Sequence, residues 1–411
     1  MVLHIDAARM RDDLATLAGI GRTEAGGISR TAFSAADALA RQWYRDRCVA
    51  AGLDLRVDGL GNMFARAPGA DTGLPAVWSG SHIDTVPNGG PLDGALGTVA
   101  ALECVRRLAE LGVPLARPVC AVVFSDEEGN YGHLLGSRGL VQGYELAALE
   151  AMTGRDGDRL MDALASWTWA QGEPTATRVS AGSVHSFVEL HIEQGPHLEA
   201  AGTEIGVVTS IVGLGGAVVE FTGRADHAGT TPMTMRRDAL LAAGDYLTRL
   251  PGVAASVGQQ SVVTCGLIRV EPGGANVVPG RAHVTLDFRD PDRNRLIALG
   301  RALRDAAEAS AEAHGVGVLW HGADIVDPVP LDQTIRSAVQ AASDALGLRS
   351  VAIASGAGHD SQNMAHLAPT GMIFVPSKDG RSHSPAEDTD WADLERGADV
   401  LLNTLYALAT C

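Results

Sequence analysis

Apolar residues recur along this chain in two rhythms. Over residues 6–17 and 34–51, Leu, Ala, Trp and Val return at helical spacing on either side of the glycine-rich stretch 19–27, which predicts two helices laid over a sheet. Residues 53–57 and 62–67 read instead as a strand pair about the turn Asp58-Gly-Leu-Gly61. Two runs, 74–78 and 118–124, are apolar almost throughout, the pattern of strands covered on both faces. Between them residues 98–111 predict a helix. A helical and polar stretch, 141–177, carries Trp167 and Trp169, and strands follow at 186–190 and 206–211.

From there the order changes. A strand at 217–223, a helix at 235–250, strands at 261–270 and 282–289, a long helix at 292–314 and a strand at 316–321 give strand-helix-strand-strand-helix-strand, the ferredoxin-like sequence of elements. A helix at 332–347, strands at 350–354 and 371–376 and a terminal helix at 391–410 then resume the first pattern. The expected fold is therefore α/β: a mixed-sheet domain made of residues 1–210 and 325–411, into which a ferredoxin-like α+β domain, 211–324, is inserted.

A length of 411 residues and a hydrophobic content of 46 % suit such a two-domain chain. The formal charge of -17 speaks against nucleic acid or an anionic membrane as partner, because phosphate needs a basic field, and leaves cations and small molecules open. Cys48, Cys104, Cys120, Cys265 and Cys411 are scattered and odd in number, without a Cys-x-x-Cys pair, which indicates neither a disulfide framework nor a thiolate zinc site and fits a reducing cytoplasm. No apolar run reaches membrane-spanning length, and the first residues show no basic stretch before an apolar one.

The candidate chemistry gathers where predicted strands run out. Residues 74–78 spill into Ser79-Gly-Ser-His82-Ile-Asp84 and then Leu92-Asp93-Gly; residues 118–124 end in Ser125-Asp126-Glu127-Glu128-Gly129; residues 186–190 lead to His191-Ile-Glu193-Gln194; later come His359-Asp360 and Ser382-His383. Asp and Asn in such loops also cap helices and build turns. Three consecutive acids at the exit of a buried strand, however, repel one another unless a cation is present. Imidazoles and carboxylates without thiolates suit Zn²⁺, Mn²⁺, Co²⁺ or Ni²⁺ rather than Ca²⁺ or Mg²⁺. The set is large enough for two cations sharing a carboxylate, an arrangement that serves hydrolysis of an amide-like bond.

These motifs, with Asp226-His227-Ala-Gly-Thr-Thr-Pro-Met, Asn276-Val-Val-Pro-Gly, Asp287-Phe-Arg289, Ser355-Gly-Ala-Gly-His359-Asp360 and Ser382-His383-Ser-Pro-Ala-Glu387, resemble those of the metal-dependent aminoacylase/carboxypeptidase superfamily. Within it, His191-Ile-Glu-Gln-Gly-Pro is similar to the branch of N-carbamoyl-L-amino-acid hydrolases, allantoate and ureidoglycolate amidohydrolases and β-ureidopropionases. The resemblance implies two divalent cations per subunit, with Asp93 bridging them, His82 and His191 among the ligands of one, and Glu128 and His383 on the other. It implies Asp84 as the acid that orients the His82 ligand and Glu127 as the general base that passes a proton to the leaving nitrogen. It gives His227 and Asn276 as donors to the developing oxyanion, often from the other subunit of a homodimer joined through the inserted lid domain. Arg289 grips the substrate carboxylate, and Gln194 and His359 are further substrate contacts.

The expected activity is cleavage of the C–N bond of an N-carbamoyl or ureido group on a small carboxylate. An N-acyl-amino-acid deacylase or dipeptidase would use the same cations and base, and a small-molecule binding protein would lack a ligand or the base. One departure stands out. Family members carry a longer insert with an Arg-Phe pair where this chain has Gly129-Asn-Tyr-Gly-His133-Leu-Leu, and the segment 146–182 is also this chain's own.

Overall fold

The computed structural model describes residues 1–67, 73–167, 171–322 and 325–410. Trp169 and Cys411 lie outside them. The chain divides into two compact units, one of residues Met1–Thr209, Pro330–Ile353 and the chain from Ala357 onward, the other of Ser210–Val329 with Ala354–Gly356. The second unit runs five residues past the expected boundary at 324 because Leu214 and Val326 exchange both backbone hydrogen bonds, Leu214 N to Val326 O at 3.0 Å and Val326 N to Leu214 O at 2.9 Å.

The first unit contains β1 (Asp54–Val57), β2 (Met63–Arg66), β3 (Ala76–His82), β4 (Val119–Phe124), β5 (Val184–Ile192) and β6 (Ile205–Ile211). The second contributes β7 (Gly213–Thr222), β8 (Asp226–His227), β9 (Val262–Glu271), β10 (Val277–Val278), β11 (Arg281–Asp290) and β12 (Gly317–Gly322), and the chain returns through β13 (Val329–Pro330), β14 (Ser350–Ser355) and β15 (Thr370–Val375). The first sheet has the order β1-β2-β4-β3-β5-β15-β6-β13, with β14 on β6. Its centre is parallel, β4 with β3, β3 with β5 and β5 with β15, and antiparallel pairs flank it. The four parallel strands therefore end at one edge, the edge at which open α/β sheets carry their sites.

Helix Ala95–Leu111 packs on β3, β4 and β5 and is buried over most of its circumference, since helices Ala7–Gly19 and Trp391–Ala409 cover its other side. It starts three residues before the expected position, with Gly94 at φ +63 as its first boundary. A side chain at 94 would place its Cβ 2.4 Å from the His82 ring, so glycine alone lets the chain pass beneath that imidazole. Among its described residues the stretch 141–177 contains the short helices Leu146–Ala151 and Leu160–Ser166 and the 3₁₀ turn Pro174–Ala176. Leu149, Leu160 and Leu164 close over Leu60 and Leu135, while Phe33 lies edge-on to both Trp167 and Tyr131.

In the second unit the order is β12-β7-β11-β9, entirely antiparallel, with helices Ala239–Val257 and Arg293–His314 packed on the sheet. Ala282, Val284, Leu286 and Phe288 of β11 alternate inward to their core. This is the ferredoxin-like arrangement. Its first helix runs beyond Leu250 to Val257, through Pro251, which lacks the N–H for the bond to the preceding turn; Ala254, buried on the same face, keeps the helix on course.

Candidate metal centre and active site

The ends of β3, β4, β5 and β15 deliver the acids and imidazoles to one place. Asp93, in the loop after β3, lies between two sets of partners. Its Oδ1 is 3.2 Å from His191 Nε2 and 3.5 Å from His82 Nε2, and its Oδ2 is 3.1 Å from His383 Nε2. His383 Nε2 is also 3.5 Å from Glu128 Oε1. Two groups with ligand atoms in mutual reach result, His82/Asp93/His191 and Asp93/Glu128/His383, and Asp93 belongs to both.

Backbone carbonyls decide what the two buried imidazoles present. His82 Nδ1 donates to Asp84 O at 3.0 Å and His191 Nδ1 to Ile192 O at 2.9 Å, because a carbonyl only accepts. When neutral, both rings turn a lone pair on Nε2 toward an anionic oxygen, that of His191 also accepting from Gly94 N at 3.2 Å, and a proton or a cation between nitrogen and oxygen makes the approach favourable. Without a cation, protons fill that place. Burial pulls the His82 imidazole down, but Glu127, Asp93 and Asp84 outweigh it and leave its pKa well above the usual value. Burial likewise pushes Asp93 up and its three imidazoles more than reverse this, so its carboxyl sits well below the usual range.

The turn after β4 carries the acids. Asp126, at φ +53, accepts from the backbone N–H of Asn130, Tyr131 and Gly132 at 2.6–2.9 Å and so folds the short loop 129–135 around itself. Burial raises its pKa to about 7. Asp84 acts here in a way the sequence did not indicate. Its carboxylate stays 3.8 Å from His82 Nδ1 and accepts from Glu127 N at 3.4 Å and Glu128 N at 3.1 Å, while its carbonyl orients the imidazole. A carboxylate two residues past the histidine reaches the neighbouring turn more easily than it curls back. Glu127 Oε2 lies 3.7 Å from His82 Nε2; burial raises its pKa well above the carboxylate range against the pull of His82. Burial and Asp93 lift Glu128 to about 7, and its Oε1 is buried with no hydrogen-bond partner. His133, on the same loop, donates through Nδ1 to Glu127 O at 2.7 Å.

Gln194, at φ +58 just beyond β5, spends its amide nitrogen on Asp93 Oδ2 (2.7 Å) and Ser382 Oγ (3.2 Å), leaving a buried Oε1 without a hydrogen-bond partner. His359 is buried edge-on against His191 at 4.5 Å and against Phe374, and burial together with His191 keeps it neutral, well below its usual pKa. A further grouping, Glu189/His191/His359, is of another kind. Glu189 already accepts from Ser81 Oγ (2.7 Å) and from Ser361 N and Oγ (3.1 and 2.6 Å), so it braces β3, β5 and the turn after His359. It was missed in the sequence although one signal was there, a charged residue in an otherwise apolar strand. Glu387, which accepts from Leu92 N and Asp93 N at 2.8 and 3.0 Å, closes the motif Ser382-His383-Ser-Pro-Ala-Glu387, but nothing in the sequence near it indicated this role.

The second unit holds the other three residues. β8 and β10 pair His227 with Val277 and bring Asn276 alongside, its carbonyl accepting from Ala228 N at 2.9 Å. His227 Nδ1 accepts from Gly229 N and Thr230 N, both at 3.1 Å, which puts the proton of the neutral ring on an exposed Nε2. Arg289, at the end of β11, forks onto Asp287 at 2.9 and 3.1 Å and donates to Gly356 O at 3.0 Å.

Residues 78–407 match the sequence profile of Peptidase family M20/M25/M40. The chain belongs to that family. It is 39 % identical to an N-carbamoyl-L-amino-acid amidohydrolase of Paenarthrobacter aurescens, over 94 % of each chain, and 35 % identical to the allantoate amidohydrolase of Escherichia coli K12, over 100 % of this chain and 99 % of the other. A crystal structure of an amidase of the hydantoinase/carbamoylase family from Burkholderia multivorans superposes with a TM-score of 0.92 at 35 % identity, covering 99 % of both chains. This M20 chain therefore sits in the amidohydrolase branch that its motifs resemble. The family is metal-dependent, and the residues present fit a cation: the facing lone pairs and carboxylate oxygens around Asp93, and the buried Glu128 Oε1 that accepts no hydrogen bond, are a donor set suited to positive charge. In the described residues no helix is long and apolar enough to cross a membrane.

Proposed function

We propose that this M20 chain hydrolyses the C–N bond of an N-carbamoyl or ureido group on a small carboxylate, an N-carbamoyl-L-amino acid, allantoate or a similar molecule, with two divalent cations of the Zn, Mn, Co or Ni type per subunit. The observation that carries this reading is the division of Asp93, one oxygen turned to His82 and His191 and the other to His383, beside Glu128. His82, His191 and Asp93 would hold one cation; Asp93, Glu128 and His383 the other. When bound, such cations polarise the scissile carbonyl and make water more acidic.

Glu127 carries the proton. Its buried carboxyl has a raised pKa, which suits a group that accepts a proton from the attacking water and returns it to the leaving nitrogen. Asp84 fixes the peptide that bears Glu127 and Glu128. The Nε2–H of His227 and the amide of Asn276 donate to the developing oxyanion, and Arg289 exchanges part of its fork on Asp287 for the substrate carboxylate. Gln194 and His359 complete the substrate side. For a terminal ureide, one water yields the amine, carbon dioxide and ammonia.

We further read the second unit as a lid and dimerisation domain: β9 is an outermost strand of its sheet, with Val262, Leu267 and Ile268 exposed along it. The free thiols of Cys48, Cys104, Cys120 and Cys265 suit the reducing cytoplasm. The test is a panel of N-carbamoyl-L-amino acids, allantoate, N-acetyl-amino acids and dipeptides, each with Mn²⁺ or Zn²⁺. Ammonia from a ureide supports the reading. Turnover of acetyl-amino acids or dipeptides without ammonia from any ureide replaces it by a deacylase or peptidase.

A further inference from the structure

The two halves of the centre are built to different standards. His82 and His191 have side chains only 2 % and 1 % exposed, and each is locked by a carbonyl at Nδ1. His383 is 51 % exposed, stands in the left-handed region at φ +53, and among the described residues no neighbour hydrogen-bonds its Nδ1. Packing does not place it. What lies beside it is Ser382, whose Oγ is 2.8 Å from Glu387 Oε2 and 3.0 Å from Asp93 Oδ2.

Glu387 is buried, and its other oxygen takes both Leu92 N–H (2.8 Å) and Asp93 N–H (3.0 Å) from a loop almost three hundred positions earlier in the chain. The space for it is set aside by Gly90, where a Cβ would lie 2.1 Å from the Glu387 carboxyl carbon. One carboxylate thus ties the peptide of the shared acid to the residue that precedes His383. We infer that Glu387 is the positioning residue of the exposed cation position: it holds His383 in register with Asp93 and Glu128 while leaving the His82/His191 position to its own buried scaffold. This rests on the two-cation reading above.

The experiment uses the full chain as wild type, Glu387→Ala, Glu387→Gln and Ser382→Ala, each loaded with Zn²⁺ and then exposed to a graded chelator. Bound metal per chain, melting temperature, kcat and KM are followed together. Wild type is expected to hold two equivalents. Glu387→Ala and Ser382→Ala are expected to release one of them at about 10–100-fold lower chelator and to keep the other as wild type does. Glu387→Gln should fall between, since its amide oxygen still accepts from Leu92 and Asp93 while its NH₂ reverses the bond to Ser382. Should Glu387→Ala not fold, Ser382→Ala and Glu387→Gln make the same comparison. Variants that hold both equivalents like wild type, or lose both together, overturn the assignment of Glu387 and leave the two-cation reading standing. A wild type that never takes up more than one equivalent overturns that reading, and this inference with it.

Discussion

A histidine binds a metal only through a nitrogen that carries no proton. At His82 and His191 backbone carbonyls impose that condition, which frees nearby carboxylates for other work. Asp84 uses its freedom to hold the amides of Glu127 and Glu128, so the proposed base and the proposed ligand are presented by one braced peptide. Glu127→Gln keeps the shape and removes the proposed proton carrier. We expect kcat to fall about 10²–10⁴-fold with metal content unchanged, measured by steady-state kinetics beside elemental analysis. Arg289 belongs to a different class of effect. With the proposed grip on the substrate carboxylate, Arg289→Ala should cost about 1.5–3 kcal/mol in kcat/KM, mostly as a raised KM, because binding rather than chemistry would lose a charged partner. A substrate without the carboxylate should be indifferent to the change.

Among elements, the parallel strands place chemistry and the pairs around them fix the register. Glu204 and Arg349 stand immediately before β6 and β14, and the guanidinium donates to both carboxylate oxygens at 3.1 Å, holding the entry of two neighbouring strands together. That bond lowers the pKa of Glu204 from its ordinary 4.5. A carboxylate depressed in the folded state stabilises above its unfolded pKa, and the contribution is lost as pH falls through the folded value. Glu204→Gln should therefore lower stability at pH 7 by at most about 1 kcal/mol, and in thermal melts the difference from wild type should shrink as pH falls below 4.5 and vanish once the folded carboxylate is itself protonated.

The elements were legible where the pattern was strong. β3 and β4 announce themselves as apolar runs, and His82, Asp93, Glu127 and Glu128 announce themselves by standing where those runs stop. The tie between Glu387 and Leu92 left no trace, because no local period links positions so far apart. Helix Ala239–Val257 outran its expected end since the buried Ala254 prevailed over the breaker Pro251. The stretch 141–177 was legible as helical but not its bounds, because its apolar positions, Leu149, Leu160 and Leu164, are few, and they make a core only with Leu60 and Leu135 from other parts of the chain.

For the whole molecule, the acidic balance and the buried acids of the centre make cation binding part of stability. Asp93, Glu127 and Glu128 share one small volume whose own imidazoles compensate them in part. Chelation should abolish turnover and lower the melting temperature of the first unit, and metal restored at about 100 times its Kd should return about 2.7 kcal/mol, read by calorimetry with and without Zn²⁺ or Mn²⁺. A melt indifferent to metal would contradict a cation held by these residues.

The interruption of the first unit also has a history in time. β5 pairs in parallel with β15, yet every residue of β7 to β12 is synthesised between them. At about 5–20 residues per second the wait at the ribosome is roughly ten to forty seconds. During it β5 displays an unpaired edge, and His191 waits at its end without His383. A nascent chain stalled just before Thr370, with β12 already clear of the ribosome and β15 not yet made, should thus carry a folded second unit beside a first unit that is still sticky and open to chaperones.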